Sequence, residues 1–427
     1  MIIKSDFSKR LQYLLMAWPI FWVAGIDQFG MLFFVIIELS LYINLRGLKF
    51  SYDKADFWLF ILCIWWLTPI LWVENWGVYL KSFSVIITVL ILHLLIINQV
   101  KSFKNILTLL NGLKFVAIYI SLGTVLFFFY ASEFRTILGY FLPSSLLDSN
   151  FFHGMGYHSL GVMAEDENSE MRVKSILTGY SSLSMICLMI APVMVFLFRI
   201  EKKEKSAYLF VALFILMFFT EIMTKSRLAI LALLVGMILL VYLESTRVKV
   251  YQRGLIYLFS TFAVLIIIAT GIIFASQLVE EFNKVFLDFR AASSMTRLHI
   301  YASTIASLPE HWIIGWGHSR PIEGMNALYS MGTHSSILGM LYQHGVVGLI
   351  IYVMIWVNVW RTAIGLYMHA HGIEMRLLSA TLIAAYFMLN IRELGDIWWW
   401  DQLLCITVVI LWGIGDAALK INQRVQG

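Results

Sequence analysis

Long apolar runs separated by short polar segments make up most of the chain. Each run is close to the roughly 20 residues that an α-helix needs to cross a bilayer. The pattern predicts an all-α, polytopic membrane protein that forms a single integral membrane domain over residues 1–427, with about twelve spans. The predicted spans cover residues 11–26, 29–45, 56–73, 78–98, 108–130, 176–198, 207–224, 228–243, 255–276, 336–360, 377–391 and 400–418.

The composition excludes an ordinary soluble domain. Hydrophobic residues make up 60% of the chain and charged residues only 13%, and charged groups are costly inside a bilayer. The formal net charge of +5 is modest, and the basic residues form short clusters between apolar runs. Such clusters are typical of membrane orientation signals, so no nucleic-acid partner is expected.

Lysine and arginine are unevenly distributed among the connections between spans. If the N-terminus is cytoplasmic, the inside connections carry most of them, including Lys101, Lys104, Lys420 and Arg424. Cytoplasmic connections of membrane proteins are enriched in these two residue types. The pattern therefore predicts that both termini are cytoplasmic.

Three outside segments nevertheless carry positive charge. They are a first loop over residues 131–175, the turn Thr224–Arg227 and a main loop over residues 277–335. Positive charge on the translocated side is disfavoured for topology, so it requires another explanation. We therefore expect functional residues in these three segments.

The main loop contains a predicted surface helix. Ser294 is the expected N-cap, and the helix is expected to end before Pro309. An amphipathic helix lying along the membrane surface would hold Arg297 at the depth of the lipid headgroups. Its apolar stripe is formed by Met295, Leu298, Ala302 and Ile305.

Arg227 and Arg297 are candidate ligands for a diphosphate. The planar guanidinium group binds phosphate oxygens in pairs and does not lose its charge. The alternative for Arg227 is a side chain that reaches the lipid headgroups from a helix end. The alternative for Arg297 is a solvated helix face, so the residues alone leave both assignments open.

His334 lies where the main loop re-enters the membrane. A neutral imidazole at this point can accept a proton from an attacking hydroxyl group near neutral pH. The alternative is an amphipathic residue of the membrane interface. Asp396, after the penultimate span, could orient His334 or Arg227, and an ion pair with Arg392 is its simpler alternative.

A metal or cofactor site is not expected. The best oxygen ligands for a metal ion form one acidic run, Glu165, Asp166, Glu167 and Glu170, and a flexible acidic loop is the usual explanation of such a run. The chain has no P-loop, dinucleotide fingerprint, zinc motif or nucleophile elbow.

Four motifs, taken together, resemble the O-antigen ligase and O-antigen polymerase superfamily of bacterial membrane glycosyltransferases. The resemblance covers roughly residues 172–396 and the twelve-span topology. The motifs are Thr224-Lys225-Ser226-Arg227-Leu228-Ala229, Met295-Thr296-Arg297-Leu298-His299-Ile300-Tyr301, Gly315-Trp316-Gly317 followed by Gly332-Thr333-His334-Ser335-Ser336-Ile337-Leu338, and Gly345-Val346-Val347-Gly348.

The resemblance implies a role for each matching position. Arg227 and Arg297 would bind the diphosphate of an undecaprenyl-linked glycan donor, and His334 would act as the base on the acceptor hydroxyl. The reaction would be a single inverting displacement without a metal or other cofactor. Further contacts to glycan or phosphate would come from Arg172, Lys174, His318 and Arg320.

The function expected from the resemblance is polymerisation of lipid-linked oligosaccharide repeat units, as in an O-antigen polymerase. The alternatives are a ligase that moves the glycan to lipid A-core and a flippase for the same lipid-linked oligosaccharide. Many relatives, ligases especially, have asparagine after the histidine, whereas this chain has Ser335. That departure weakens the ligase assignment.

The resemblance also implies partners and a location. The partners are the undecaprenyl-diphosphate-linked glycan donor, a glycan or lipid A-core acceptor and membrane lipids, and it allows for a chain-length regulator protein. The expected location is the bacterial inner membrane, with the active site facing the periplasm.

Overall fold

The computed structural model of the protein consists of long α-helices joined by short connections. It describes residues 6–52, 54–73, 76–127, 132–143, 157–163, 172–174, 180–201, 203–224, 226–245, 291–323, 330–399 and 401–424. Nine of the described helices are long and apolar enough to cross a membrane, and a shorter apolar helix covers Ala207–Met223. The all-α, polytopic prediction is therefore confirmed.

The helices follow the predicted spans closely. They are α1 (Phe7–Ala24), α2 (Asp27–Arg46), α3 (Lys54–Leu67), α4 (Trp76–Gln99), α5 (Phe103–Phe127), α6 (Ile137–Phe141), α7 (Tyr180–Ile200), α8 (Glu204–Met223), α9 (Arg227–Ser245), α10 (Ala291–His311), α11 (Ser336–His369), α12 (Ile373–Glu393) and α13 (Gln402–Arg424). The predicted span 255–276 lies outside the described residues, so the count of twelve stays a prediction.

Short strands occur in the connections, which the hydrophobic pattern did not predict. Strands β1 (Ser132–Arg135), β2 (Tyr157–Met163) and β3 (Arg172–Lys174) form an antiparallel sheet within the first predicted loop. Strands β4 (Arg320–Pro321) and β5 (Ser330–Met331) pair in the main loop. Four of the five strands have four residues or fewer, so they are too short for a clear alternation of apolar and polar residues.

Helices α7, α12 and α13 form the most enclosed part of the bundle. Helix α13 packs against α4, α11 and α12, and α7 packs against α8 and α12. Close approach depends on small residues, because lipid provides no hydrophobic drive between helices. At Gly413, for example, an added methyl group would lie 2.8 Å from Cγ2 of Ile96 on α4.

Helix α10 differs from its predicted bounds. The helix spans Ala291–His311, so Ser294 lies inside it and is not its N-cap, and Pro309 also lies within it. Proline removes one helical hydrogen bond, but here the helix continues only to the end of the same turn. The expected end before Pro309 was therefore wrong.

The predicted stripe on α10 is exposed, whereas the opposite side packs on the protein. Met295 is 64% exposed and Leu298 60%, while Ile300 is fully buried. Helix α10 contacts α11 and β5 through this buried side. The position of the exposed stripe at a membrane surface stays a prediction. We call the face of the bundle that carries α10 the loop face.

Candidate functional site

His334 lies in the tight turn that leads from β5 into α11. Its φ angle is 61°, and it is the one non-glycine residue with positive φ in the part of the chain that the structure describes. This left-handed backbone is uncommon for a residue with a side chain and persists when surrounding contacts hold it. The hydroxyl of Tyr301, on α10, donates a hydrogen bond to the carbonyl oxygen of His334 at 2.6 Å.

Hydrogen bonds from both neighbouring helices hold the rest of this turn. The N–H of Gly332 donates to Oγ1 of Thr304 on α10 at 3.0 Å. Nε2 of Gln343 on α11 donates to the carbonyl oxygen of Gly332 at 3.2 Å. The turn is therefore fixed between α10 and α11 rather than free to move with the loop.

Residues from three helices, α9, α10 and α12, meet at Gly395, which follows α12. A methyl group added to Gly395 would lie 3.0 Å from Cδ2 of Leu228, 3.4 Å from Nη1 of Arg297 and 3.6 Å from Nη1 of Arg392. Leu228 is the second residue of α9, and Arg297 lies on α10. The structure therefore brings the start of α9 beside Arg297, although the two are far apart in sequence.

Arg227 is the first residue of α9, at the turn predicted from the sequence. Its side chain lies outside the described residues. The backbone position, next to Leu228, is consistent with a shared site for Arg227 and Arg297. A direct role of the Arg227 side chain stays a prediction.

A buried ion pair lies below this junction. Nη2 of Arg392 is 2.8 Å from Oδ2 of Asp396 and also donates to Oγ of Ser181 on α7 at 3.0 Å. The carbonyl oxygen of Asp396 accepts a hydrogen bond from Oγ of Ser336, the first residue of α11, at 3.0 Å. The ion pair between Arg392 and Asp396 is thus confirmed, and it ties α12 to α7 and α11.

The pKa of Asp396 is lowered by the cations of the site. Burial acts to raise the pKa, but the charges of Arg392, His334 and Arg297 together lower it below its ordinary value. The carboxylate therefore stays ionised at neutral pH. The pKa of the Tyr301 hydroxyl is raised, mainly by burial, so Tyr301 stays a neutral hydrogen-bond donor.

Arg320 and His318 lie on the same loop, between α10 and β5. The guanidinium carbon of Arg320 lies 4.2 Å from the centre of a Trp316 ring, a cation–π contact. Strand pairing places Arg320 opposite Met331, close in sequence to His334. His318 is only 8% exposed. A role for either residue in glycan or phosphate binding stays a prediction.

The loop is joined to α11 through a break in that helix. Gly345 has φ 68° and ψ −172°, which interrupts the helical hydrogen bonds. The N–H of Val346 donates to the carbonyl of Trp312, and the N–H of Trp316 donates to the carbonyl of Tyr342, each at 2.8 Å. Nε1 of Trp65 on α3 donates to the carbonyl of His344 at 2.9 Å. The backbone groups released by the break are thus bonded elsewhere, as a membrane interior requires.

The remaining candidates lie on the first loop. Arg172 and Lys174 belong to β3, which pairs with β2 and contacts α5 and α7. Nothing is described of their side chains, and the acidic run 165–170 lies outside the described residues. Where residues are described, no group of three or more histidine, cysteine, aspartate or glutamate side chains could hold a metal ion.

Sequence reasoning missed two residues of this site. Tyr301 follows Arg297 by one helical turn, so helical spacing could have placed it on the same side of α10. Ser181, which accepts from Arg392, is one of several serines at the start of α7 and carried no signal of its own. Arg392 was expected only as a partner of Asp396, not as a neighbour of Arg297.

Similarity to known proteins covers part of the chain. A search of curated proteins gave no match for the chain. A family model described as O-antigen ligase matches residues 212–353. The matched segment contains Arg227, Arg297 and His334. Over this segment, about a third of the chain, the protein is similar to the O-antigen ligase family, which supports the resemblance to the O-antigen ligase and O-antigen polymerase superfamily.

Proposed function

We propose that the protein is an inverting glycosyltransferase whose donor is a glycan linked to undecaprenyl diphosphate. One observation carries this proposal: α10 brings Arg297 beside the start of α9 and, through Tyr301, also holds the turn of His334. A cationic group for phosphate and a base for a hydroxyl are thus supported by the same helix.

In the proposed reaction, Arg297 and Arg227 bind the oxygens of the donor diphosphate. The acceptor hydroxyl oxygen attacks the anomeric carbon from the face opposite the diphosphate, and a ring nitrogen of His334 takes the hydroxyl proton. The bond from the anomeric carbon to the phosphate oxygen breaks, and its electron pair leaves with the diphosphate. Fixed cations stabilise the charge that develops there, so no metal ion is required by this scheme.

Arg392 and Asp396 are positioning residues in this scheme. Their ion pair links α12 to α7 and α11 directly beneath Arg297. The Asp396 carboxylate also offsets part of the positive charge of Arg297 and Arg392 while the donor is absent. The donor diphosphate would then enter a positively charged site whose helices are already held together by the ion pair.

For the acceptor, our first candidate is a second lipid-linked repeat unit, which makes the protein a polymerase. The presence of Ser335 in place of asparagine is weaker support for a polymerase than the sequence alone suggested. Its hydroxyl accepts a hydrogen bond from the N–H of Leu338 at 3.4 Å as the N-cap of α11. Asparagine caps a helix equally well, so exchange between the two residues needs no change of acceptor.

The second candidate is a ligase with lipid A-core as the acceptor. The description of the matching family, O-antigen ligase, favours it. Both candidates use the same donor chemistry, and they differ only in the group that enters beside His334. A chain-length regulator protein is a partner only in the polymerase case.

Purified protein incubated with lipid-linked repeat units alone tests the acceptor. Longer lipid-linked products without added core support the polymerase, whereas transfer that requires core supports the ligase. In proteoliposomes, movement of the donor headgroup from one leaflet to the other without any new glycosidic bond would indicate a flippase. The variants Arg297→Ala and Arg227→Ala should each weaken donor binding, and unchanged binding in both would rule out the diphosphate site.

We also propose that the loop face is periplasmic in the inner membrane. The native cysteines, Cys63, Cys187 and Cys405, are all buried, so labelling of an introduced cysteine has a low background. Glu310→Cys on α10 should react with a membrane-impermeant maleimide in cells whose outer membrane is permeabilised. Lys104→Cys, at the start of α5, should react only after the inner membrane is opened. The reverse pattern would invert the assignment.

A further inference from the structure

A polar cavity lies on the face of the bundle opposite the loop face. Its volume is about 320 Å³. Helix α13 separates it from the proposed active site, because Lys420 lies about 27 Å along that helix from Gln402 at 1.5 Å per residue. This distance is close to the roughly 30 Å hydrocarbon thickness of a bilayer. The polar residues that line the cavity are Lys54, Asn358, Arg361, Thr362, Asp416, Lys420 and Gln423.

The floor of this cavity is built from a buried chain of polar residues. Asp416 is 6% exposed, and its Oδ1 accepts a hydrogen bond from Oγ1 of Thr362 at 2.7 Å. Its Oδ2 lies 3.0 Å from Nε2 of His93, and Nδ1 of His93 lies 2.6 Å from Oδ1 of Asp56. These bonds connect α3, α4, α11 and α13, so the cavity walls are held in place before any ligand enters.

The charges that face the cavity favour an anion. Both oxygens of Asp416 are already engaged. Lys420 makes one 3.3 Å hydrogen bond, to Oγ of Ser51. Within the part of the chain that the structure describes, the side chains of Arg361 and Lys54 make no hydrogen bond or ion pair. Three cationic side chains thus surround the carboxylate of Asp416, whose oxygens already have hydrogen-bond partners. The oxygens of a phosphate group are suitable acceptors for these cations.

The surface beside the cavity favours a lipid over a free anion. Phe57, one turn after Lys54 on α3, is 55% exposed, and Val357, one turn before Arg361 on α11, is 41% exposed. Both residues lie on the membrane side of their cation, and α3 packs against α11. A ligand with its phosphate in the cavity could therefore lay an apolar chain along these two helices.

We propose that this cavity binds the phosphate of an anionic membrane lipid, with Arg361 and Lys420 as its principal ligands. The orientation signals of a membrane protein require positive charge at this face. They do not require the charge to line a cavity above a buried aspartate. This site is independent of the proposed glycosyl transfer, since none of its residues belongs to the loop face.

Native mass spectrometry of the full-length protein, titrated with phosphatidylglycerol, tests this site. The double variant Arg361→Gln/Lys420→Gln should bind the lipid on the order of tenfold more weakly than the native chain. The matched control is Lys9→Gln/Lys104→Gln, which removes the same charge from exposed positions on the same face. The control should retain native affinity, and phosphatidylcholine should bind the native chain more weakly than phosphatidylglycerol.

Two results would overturn the proposal. Equal losses in the two double variants would show attraction to general surface charge instead of a site. Competition by inorganic phosphate as strong as that by phosphatidylglycerol would show that the ligand is a free anion. If the double variant is not monodisperse after purification, Arg361→Gln alone provides the same comparison against Lys104→Gln, and native affinity in Arg361→Gln would again reject the site.

Discussion

The hydroxyl of Tyr301 donates a hydrogen bond to the carbonyl oxygen of His334, with 2.6 Å between the two oxygens. This bond joins the helix that carries Arg297 to the turn that carries the proposed base. The backbone of His334 is in the left-handed region, a conformation that persists only when surrounding contacts hold it. We therefore expect Tyr301 to act as a positioning residue, which can be tested separately from the chemistry.

Replacement of Tyr301 by Phe removes this hydrogen bond and leaves the ring in place. A hydrogen bond of this type contributes about 1 kcal/mol, so turnover should fall about fivefold if the bond acts in the transition state. The KM for the donor should stay unchanged, because Arg297 is unaffected. The control is Tyr367→Phe, which removes a 2.7 Å bond to the carbonyl of Leu243 on the opposite face. Equal turnover in the two variants would reject a positioning role for Tyr301.

His334→Asn tests the proposed base without changing the backbone requirement. Asparagine tolerates the left-handed region better than most residues, so the variant should fold and bind donor normally. Loss of a general base lowers the rate about 100-fold to 10,000-fold. Product formation and donor binding are measured on the same preparation. His299→Asn, at an exposed position of α10, should keep native activity, and native activity in His334→Asn would reject the base assignment.

Asp396→Asn should destabilise the protein strongly, because it leaves Arg392 buried without its counter-charge. Removal of one partner of a buried pair costs about 3 kcal/mol or more. The control is Glu244→Gln, which breaks a 3.2 Å pair with Arg199, a residue whose side chain is 55% exposed. That change should cost less than about 1 kcal/mol. Thermal unfolding of the purified variants gives both values, and similar losses would contradict a special role for the buried pair.

The pKa of Asp396 also predicts how this difference depends on pH. The pKa in the folded protein is below the unfolded value of about 3.9. The stabilisation is therefore fully present above the unfolded pKa and is lost as the pH falls through the folded pKa. The melting temperatures of the native chain and Asp396→Asn should differ by a constant amount between about pH 5 and about pH 8, and should converge below about pH 4. Convergence near neutral pH would show that the carboxylate titrates much higher than expected.

Gly345→Ala should disrupt the junction between the loop and α11. A methyl group at Gly345 would lie 2.0 Å from the carbonyl oxygen of Ile313, and the residue has φ 68°. Both the contact and the backbone angle oppose a side chain, so we expect a loss of several kcal/mol or failure to fold. Gly365→Ala lies on the same helix with nothing within 4 Å and should stabilise by about 0.5 to 1 kcal/mol. Equal melting temperatures in the two variants would contradict the role of the break.

Most of the helical architecture could be predicted because apolar length is a strong local signal. The turn before α9 and the re-entry at His334 were also correctly placed, since each joins a polar segment to an apolar run. The limits of α10 were wrong because its start does not depend on the side chain of Ser294, and because Pro309 is close enough to the end to be tolerated. Local preference decides such positions only when packing does not.

The assembly of the site could not be predicted, since it depends on contacts between distant segments. Nothing in the sequence around Gly395 indicates that Leu228, Arg297 and Arg392 all lie close to it. The left-handed backbone of His334 depends on Tyr301 and on the turn at Gly332, which bonds to Thr304 and Gln343. Ser335 is the opposite case, in which a local contact explains the sequence. Its difference from the asparagine of many relatives was interpreted as a sign of a different acceptor, but Ser335 caps helix α11.

The break in α11 at Gly345 sets the boundaries for exchanging loops between relatives. Residues 312–317 form backbone hydrogen bonds with residues 342–346 of the membrane helix. The loop therefore cannot be exchanged without this part of the helix. A chimera that takes a foreign loop and keeps the native helix would leave unpaired backbone groups within the membrane. A donor segment that runs without interruption from α10 to beyond Gly348 would carry both halves of this junction, and engineered acceptor specificity should be sought with segments of that length.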